Sequence, residues 1–168
     1  QTLTKALKEW KVAVAAIKRG ETIVLLRKGG IREDNNRFQV DSDRVLLYPT
    51  YEHQDPELLK PEYASQVTPV ASGWHPETIP IAAAAEITHI FRIQERATLD
   101  ALFPFHIWNQ GFASKRFRWK PKQPLYILLL QAYRLPKTVK IPYDAKYGGC
   151  RSWIDLNQSI SLEGMTPV

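Results

Sequence analysis

Two glycine pairs beside fixed positive charge are the residues best placed to do chemistry in this 168-residue chain: Arg27-Lys28-Gly29-Gly30-Ile31-Arg32 and Tyr147-Gly148-Gly149-Cys150-Arg151. Successive N–H groups in a glycine turn cradle an anion, and adjacent cations add Coulomb attraction. The same residues also suit a tight turn that needs positive φ, with exposed basic neighbours. Neither pair has the Gly-x-x-x-x-Gly-Lys-Ser/Thr spacing of a nucleoside-triphosphate loop. A third stretch, Leu47 to Gln54, delivers Thr50, Tyr51, Glu52, His53 and Gln54 onto one loop. Tyr51, His53 and Gln54 have the rings and hydrogen-bonding groups that an unpaired base requires. A polar connection held by its own hydrogen bonds fits equally. A fourth, Lys115 to Lys122, interleaves Arg116, Arg118 and Lys120 with Phe117 and Trp119. Read as an extended segment, it puts cations on one face and rings on the other. That suits a phosphate backbone with stacked bases, or a strand that buries its rings. The expected phosphate contacts are Arg27, Lys28, Gly29, Gly30, Arg32, Arg116, Arg118, Lys120 and Arg151. Tyr51, His53 and Gln54 are the expected base contacts.

Enzyme signatures are weaker. His53, His75, His89 and His106 lack metal-ligand spacing. No Gly-x-Ser-x-Gly elbow occurs. Cys150, beside Arg151, is a weak nucleophile candidate, since a small residue in a glycine turn usually only packs. Asp41, Asp43, Glu52 and Asp55 are the acids that would hold magnesium, but no carboxylate-x-lysine pair follows them on a strand. Glu52 and His53 are adjacent, so on an extended chain they point to opposite sides. No catalytic residue, metal or cofactor is assigned. A hydrolase acting on nucleic acid or nucleosides, and an adaptor that docks a protein, stand as rivals.

The elements that must position these residues follow from periodicity. Leu3, Leu7, Trp10, Val14 and Ile17 recur at helical spacing, so the N-terminal stretch reads as an amphipathic helix. Thr2 or Thr4 would cap it and Gly20 would end it. Thr22 to Leu26 reads as a buried strand. Arg32 to Arg37 reads as a turn and Phe38 to Val40 as a short strand. Arg44 to Tyr48 is a strand ended by Pro49, and Pro56 suits a short helical first turn. Glu86 to Ile93 alternates, with His89 on the apolar face as a core histidine. Thr98 caps a short helical turn. Leu125 to Leu135 is a long strand, followed by a turn at Leu135 to Thr138 and a short strand at Val139 to Ile141. Ser152 to Leu156 is a last strand. No repeat appears, and the rhythm is not that of a doubly wound sheet. The expected fold is a single α+β domain over residues 1–168, built on a small curved or closed mixed barrel.

The chain carries a net charge of +6, a basic excess that points toward nucleic acid or another anionic partner. Its one cysteine excludes an internal disulfide and fits a reducing compartment. The longest apolar run, Leu125 to Leu130, is too short to span a bilayer. No signal-type segment opens the chain. A cytoplasmic protein without membrane contact is expected. The sequence leaves its oligomeric state open.

The blocks Leu25 to Ile31, Leu47 to Gln54 and Tyr147 to Trp153 together resemble a bacterial family of domains of unknown function. Some members of that family accompany an Mrr-like endonuclease domain, which implies a link to restriction–modification. That endonuclease domain is absent from this sequence. A fainter resemblance is to PUA-like barrels of the ASCH branch, which carry Gly-x-Lys-x-x-Glu-x-Arg on the strand after the first helix. Gly20 and Arg27 match its ends, while Thr22 and Leu25 replace its lysine and glutamate. The resemblance implies a barrel and a nucleic-acid role, without the amidohydrolase activity of some such proteins.

Overall fold

A computed structural model of the chain describes residues 1–28, 32–34, 37–39, 43–118 and 122–168. A seven-stranded sheet carries the fold, in the order β2-β7-β6-β5-β1-β8 with β9 added on β7. The members are β1 (Thr2–Trp10), β2 (Val24–Lys28), β5 (Arg44–Thr50), β6 (Thr78–Ile93), β7 (Leu125–Pro142), β8 (Trp153–Ser161) and β9 (Thr166–Pro167). β3 (Arg32–Asp34) and β4 (Arg37–Gln39) pair as a separate ribbon, where a turn and a later strand were expected. Val40 lies outside the described residues. The helices are α1 (Lys11–Lys18), α2 (Pro61–Ala64), α3 (Arg96–Ala101) and α4 (Gln110–Arg118). Among the described residues, hydrogen bonds do not close the sheet into a barrel. Two side-chain contacts bridge β2 to β1 instead. Arg27 Nη2 donates to Lys8 O (2.6 Å) and lies 3.0 Å from Glu9 Oε2.

β5 explains why the sheet is buried on both sides. Val45 and Leu47 belong to the core cluster that packs under α1, while Leu46 and Tyr48 belong to a second cluster with Ile154, Leu156 and Ile160. A strand buried on both faces reads as a continuous apolar run.

Several expectations change. The N-terminal helix is a strand as far as Trp10, and only Lys11–Lys18 is helical. β1 pairs in parallel with β5 and antiparallel with β8, and this pairing overrides the helical spacing. Gln54, not Thr2 or Thr4, caps α1: its Oε1 accepts the Val12 N–H at 2.9 Å. Gly20 does end the helix in the left-handed region, at φ 79°. Pro49 lies inside β5. The β6 ladder stops at Leu46–Ala84, so Pro49 faces a partner on one side only. β7 runs through Pro136, because the expected turn is accommodated as a register shift between Ile81–Val139 and Ala83–Arg134. A second register shift, between Ile87 and His89, turns His89 out of the core. There it is exposed and stacks on Phe91. Thr98 lies inside α3, whose N-cap is Glu95.

Lys115 to Arg118 is helical rather than extended. Asn109 Oδ1 caps α4 by accepting the Phe112 N–H at 2.8 Å, and Lys28 Nζ donates to the Phe117 carbonyl at its far end (2.7 Å). Lys115, Arg116 and Arg118 occupy the last turn, where the helix dipole favours cations.

Candidate nucleic-acid interface

The parallel pairing of β1 with β5 sets Trp10 level with Thr50, so the segments after both strands leave from one end of the sheet. The second glycine loop is tied to the same place. Lys8 N–H donates to Ser152 O (2.8 Å), and Lys8 Nζ donates to Tyr147 O (2.6 Å) and Gly149 O (2.9 Å). With β2 and α4 as further walls, these segments enclose a cleft of about 500 Å³. Lys8, Arg27, Lys28, Arg116 and Arg151 line it against two carboxylates, Glu9 and Glu52, an excess of three positive charges. Trp10, Trp108 and Phe112 supply an apolar wall, with ring centroids 5.7–6.4 Å apart. The Arg116 guanidinium lies 4.9 Å from the Phe112 ring centre.

The cations are crowded. Burial, with Arg27 close by, lowers the pKa of Arg116, and Glu9 partly offsets that. Burial and then Arg116 lower that of Lys28; burial and then Arg151 lower that of Lys8. Glu9 is 7% exposed and shared: Oε1 accepts the Trp10 N–H at 2.8 Å and Oε2 faces Arg27. Arg27 Nε is buried without a hydrogen-bond partner among the described residues. Like charges held together in a partly desolvated cleft repel in the free protein, and an entering anion relieves that repulsion.

Of the residues predicted from sequence, Arg27, Lys28, His53, Arg116 and Arg151 meet in this cleft, with Gly149 and Cys150 beside them. His53 is exposed and holds a positive φ of 66°, an unfavourable conformation for a non-glycine residue. Gly149, at φ 86°, occupies the left-handed region that glycine adopts freely. Arg118 does not line the cleft; it lines two other cavities, one with Arg92 and one shared with Phe112 and Arg116 of the cleft wall. Gln54 is buried as the cap of α1 and does not line the cleft. Tyr51 faces a neighbouring recess. Gly29, Gly30 and Lys120 lie outside the described residues, as does the side chain of Arg32.

That recess has about 40 Å³ of free space between Tyr48, Tyr51, Trp74, His75, Tyr143 and Tyr147. His75 stacks on Tyr143 with centroids 3.4 Å apart, and Tyr51 meets Trp74 edge-on at 5.6 Å. Burial raises the pKa of both Tyr48 and Tyr51, which keeps their hydroxyls neutral. Lys8, Thr50 and Glu52 line both the recess and the cleft. Glu52 Oε2 accepts the Gly73 N–H and so holds the Trp74 loop over the recess.

Sequence reasoning missed Lys8, Glu9 and Trp10 as site residues, because a strand was read as a helix whose charges face water. It also missed Trp108. Among the described residues, no three His, Cys, Asp or Glu side chains come together to hold a metal, and no helix is long and apolar enough to cross a membrane.

A family model described as a domain of unknown function, DUF1802, matches residues 6–168. No curated protein matches the chain. The fold is similar to the crystal structure of a mutant of ZmASCH from Zymomonas mobilis, with a TM-score of 0.52 at 12% identity, over 92% of this chain and 88% of that one. At that identity the likeness concerns the fold: a large sheet with few helices, as in an ASCH protein.

Proposed function

This chain belongs to the DUF1802 family of domains of unknown function, and we propose that it binds nucleic acid, with the sugar–phosphate backbone lying in the cleft between β2, α4 and the second glycine loop. The observation that carries this reading is the excess of three positive charges in one concavity beside an aromatic wall. Arg116 and Arg151 are the phosphate contacts, while Lys8, whose ammonium is tied to two backbone carbonyls, adds its charge to the field of the cleft. Arg27 and Lys28 are largely committed to Glu9, Lys8 O and the end of α4, and so act mainly by placing the walls. Trp10, half-buried at the wall, offers a stacking surface. The likeness in fold to an ASCH protein supports a PUA-like module.

The test is a titration of labelled single-stranded DNA and RNA at several salt concentrations. With about three phosphates neutralised, log affinity should fall by roughly 2 to 3 per decade of salt. A flat response rejects the reading.

One observation favours a second reading, an enzyme acting on a nucleoside: Lys8, Glu52, His53 and Cys150 share the cleft. Incubation with DNA, RNA and modified nucleosides, with and without magnesium, tests it. Unchanged substrates count against it.

A further inference from the structure

The junction between cleft and recess carries information that phosphate binding does not use. Lys8, Thr50 and Glu52 line both spaces, so any group passing from one to the other meets a donor, a hydroxyl and an acceptor. Lys8 Nζ gives two of its three N–H groups to Tyr147 O and Gly149 O, which fixes the direction of the third. Glu52 is held at Oε2 by the Gly73 N–H, so the carboxylate is presented in one orientation. The recess beyond has about 40 Å³. A single water needs about 10–15 Å³ of such space, so the recess has room for about three water-sized groups, less than a whole nucleobase with its substituents requires. The ring therefore stays in the cleft, where the Trp10 wall stands, and only its polar edge with the exocyclic substituent reaches the junction.

We infer that this junction selects an unpaired nucleobase that carries an exocyclic amino group next to a ring acceptor, as cytosine and adenine do, over thymine and uracil. The inference rests on the nucleic-acid reading above. The amino N–H of cytosine or adenine donates to the Glu52 carboxylate, and the neighbouring ring nitrogen accepts from Lys8. Thymine offers the same two kinds of group in reverse order along its edge, so with its glycosidic bond held in the same place by the backbone in the cleft it puts a carbonyl oxygen where the amino group stood. That oxygen meets a carboxylate, and the ring N–H meets an ammonium, so both contacts are lost.

The experiment compares oligo(dC) and oligo(dT) of equal length by fluorescence anisotropy, using the full chain and Glu52→Gln. The wild-type protein should prefer oligo(dC) by about tenfold or more, given the usual discrimination of a paired base-edge contact. In Glu52→Gln the carbonyl can keep the Gly73 N–H while the amide nitrogen becomes a donor, so the preference should vanish or reverse. A comparison needing no variant sets adenine against purine lacking the amino group in an otherwise identical oligonucleotide, and adenine should bind more tightly. Equal wild-type affinities, or a preference for oligo(dC) that survives Glu52→Gln, overturns the inference and leaves backbone binding standing. Absence of binding to any oligonucleotide overturns both.

Discussion

Glu9→Gln should make the protein less stable and yet a better ligand for polyanions. Glu9 is 7% exposed, and its carboxylate lies 3.0 Å from the Arg27 side chain, itself 17% exposed. Removing one partner of a buried ion pair costs about 3–5 kcal/mol, because the other charge is left uncompensated. Glutamine keeps an acceptor for the Trp10 N–H, so the lower end, about 3 kcal/mol, applies. For a chain of 168 residues that is a fall in Tm of about 6–12 °C. The cleft's excess would rise from three to four positive charges. If the gained charge meets a phosphate, the salt dependence of log affinity steepens by about 0.7–0.9. Urea unfolding gives the first quantity, and a salt-dependent anisotropy titration of single-stranded DNA gives the second. Unchanged stability with an unchanged salt slope would refute the idea that Glu9 is the internal counter-ion of the cleft.

Three further outcomes are expected. His106 is 2% exposed, and burial, with Lys60 nearby, lowers its pKa from 6.5 to about 4. The unfolded chain therefore binds the proton first, and stability from this residue is complete above pH 6.5 and lost as pH falls toward 4. The wild type should lose about 3 kcal/mol more than His106→Gln across that window, measured by urea unfolding at each pH; parallel profiles would contradict this. Gln54→Ala should cost about 1–3 kcal/mol by stranding the Val12 N–H, with no change in the salt slope; weakened binding at full stability would return Gln54 to the ligand site. Gly149→Ala meets no atom within 4 Å, so its cost should be only about 1–2 kcal/mol, from the positive φ alone. A larger loss in thermal melts would mean that the loop is more tightly packed than described.

The sequence made the mixed class, the buried run of β2, the stop at Gly20 and the special backbone of the second glycine loop legible, because each rests on local chemistry. β1 was not legible. Ala6, Leu7, Lys8 and Glu9 are all buried, so a strand covered on both faces shows no alternation, and Leu3, Leu7 and Trp10 match helical spacing instead. Misreading that strand hid Lys8 and Glu9, since buried charges look like surface charges until their partners from Arg27 and loop 147–152 are known. α4 shows the reverse failure. The alternation of Lys115 to Arg118 imitates a strand, while the deciding residues are the Asn109 cap and a distant lysine, Lys28. His89 was misplaced because a bulge beside it shifts the register, a feature that arises from pairing with β7. The meeting of Arg27, Arg116 and Arg151 in one cleft depends on the parallel pairing of β1 with β5, which no local pattern reveals.

The most direct measurement is the salt slope of single-stranded DNA binding for Arg116→Gln and Arg151→Gln, beside Lys137→Gln on the exposed part of β7 as a control. Each cleft substitution should flatten the slope by about 0.7–0.9 while the control leaves it unchanged. Slopes that ignore the cleft charges, or that fall equally for Lys137→Gln, would show that the polyanion sits elsewhere.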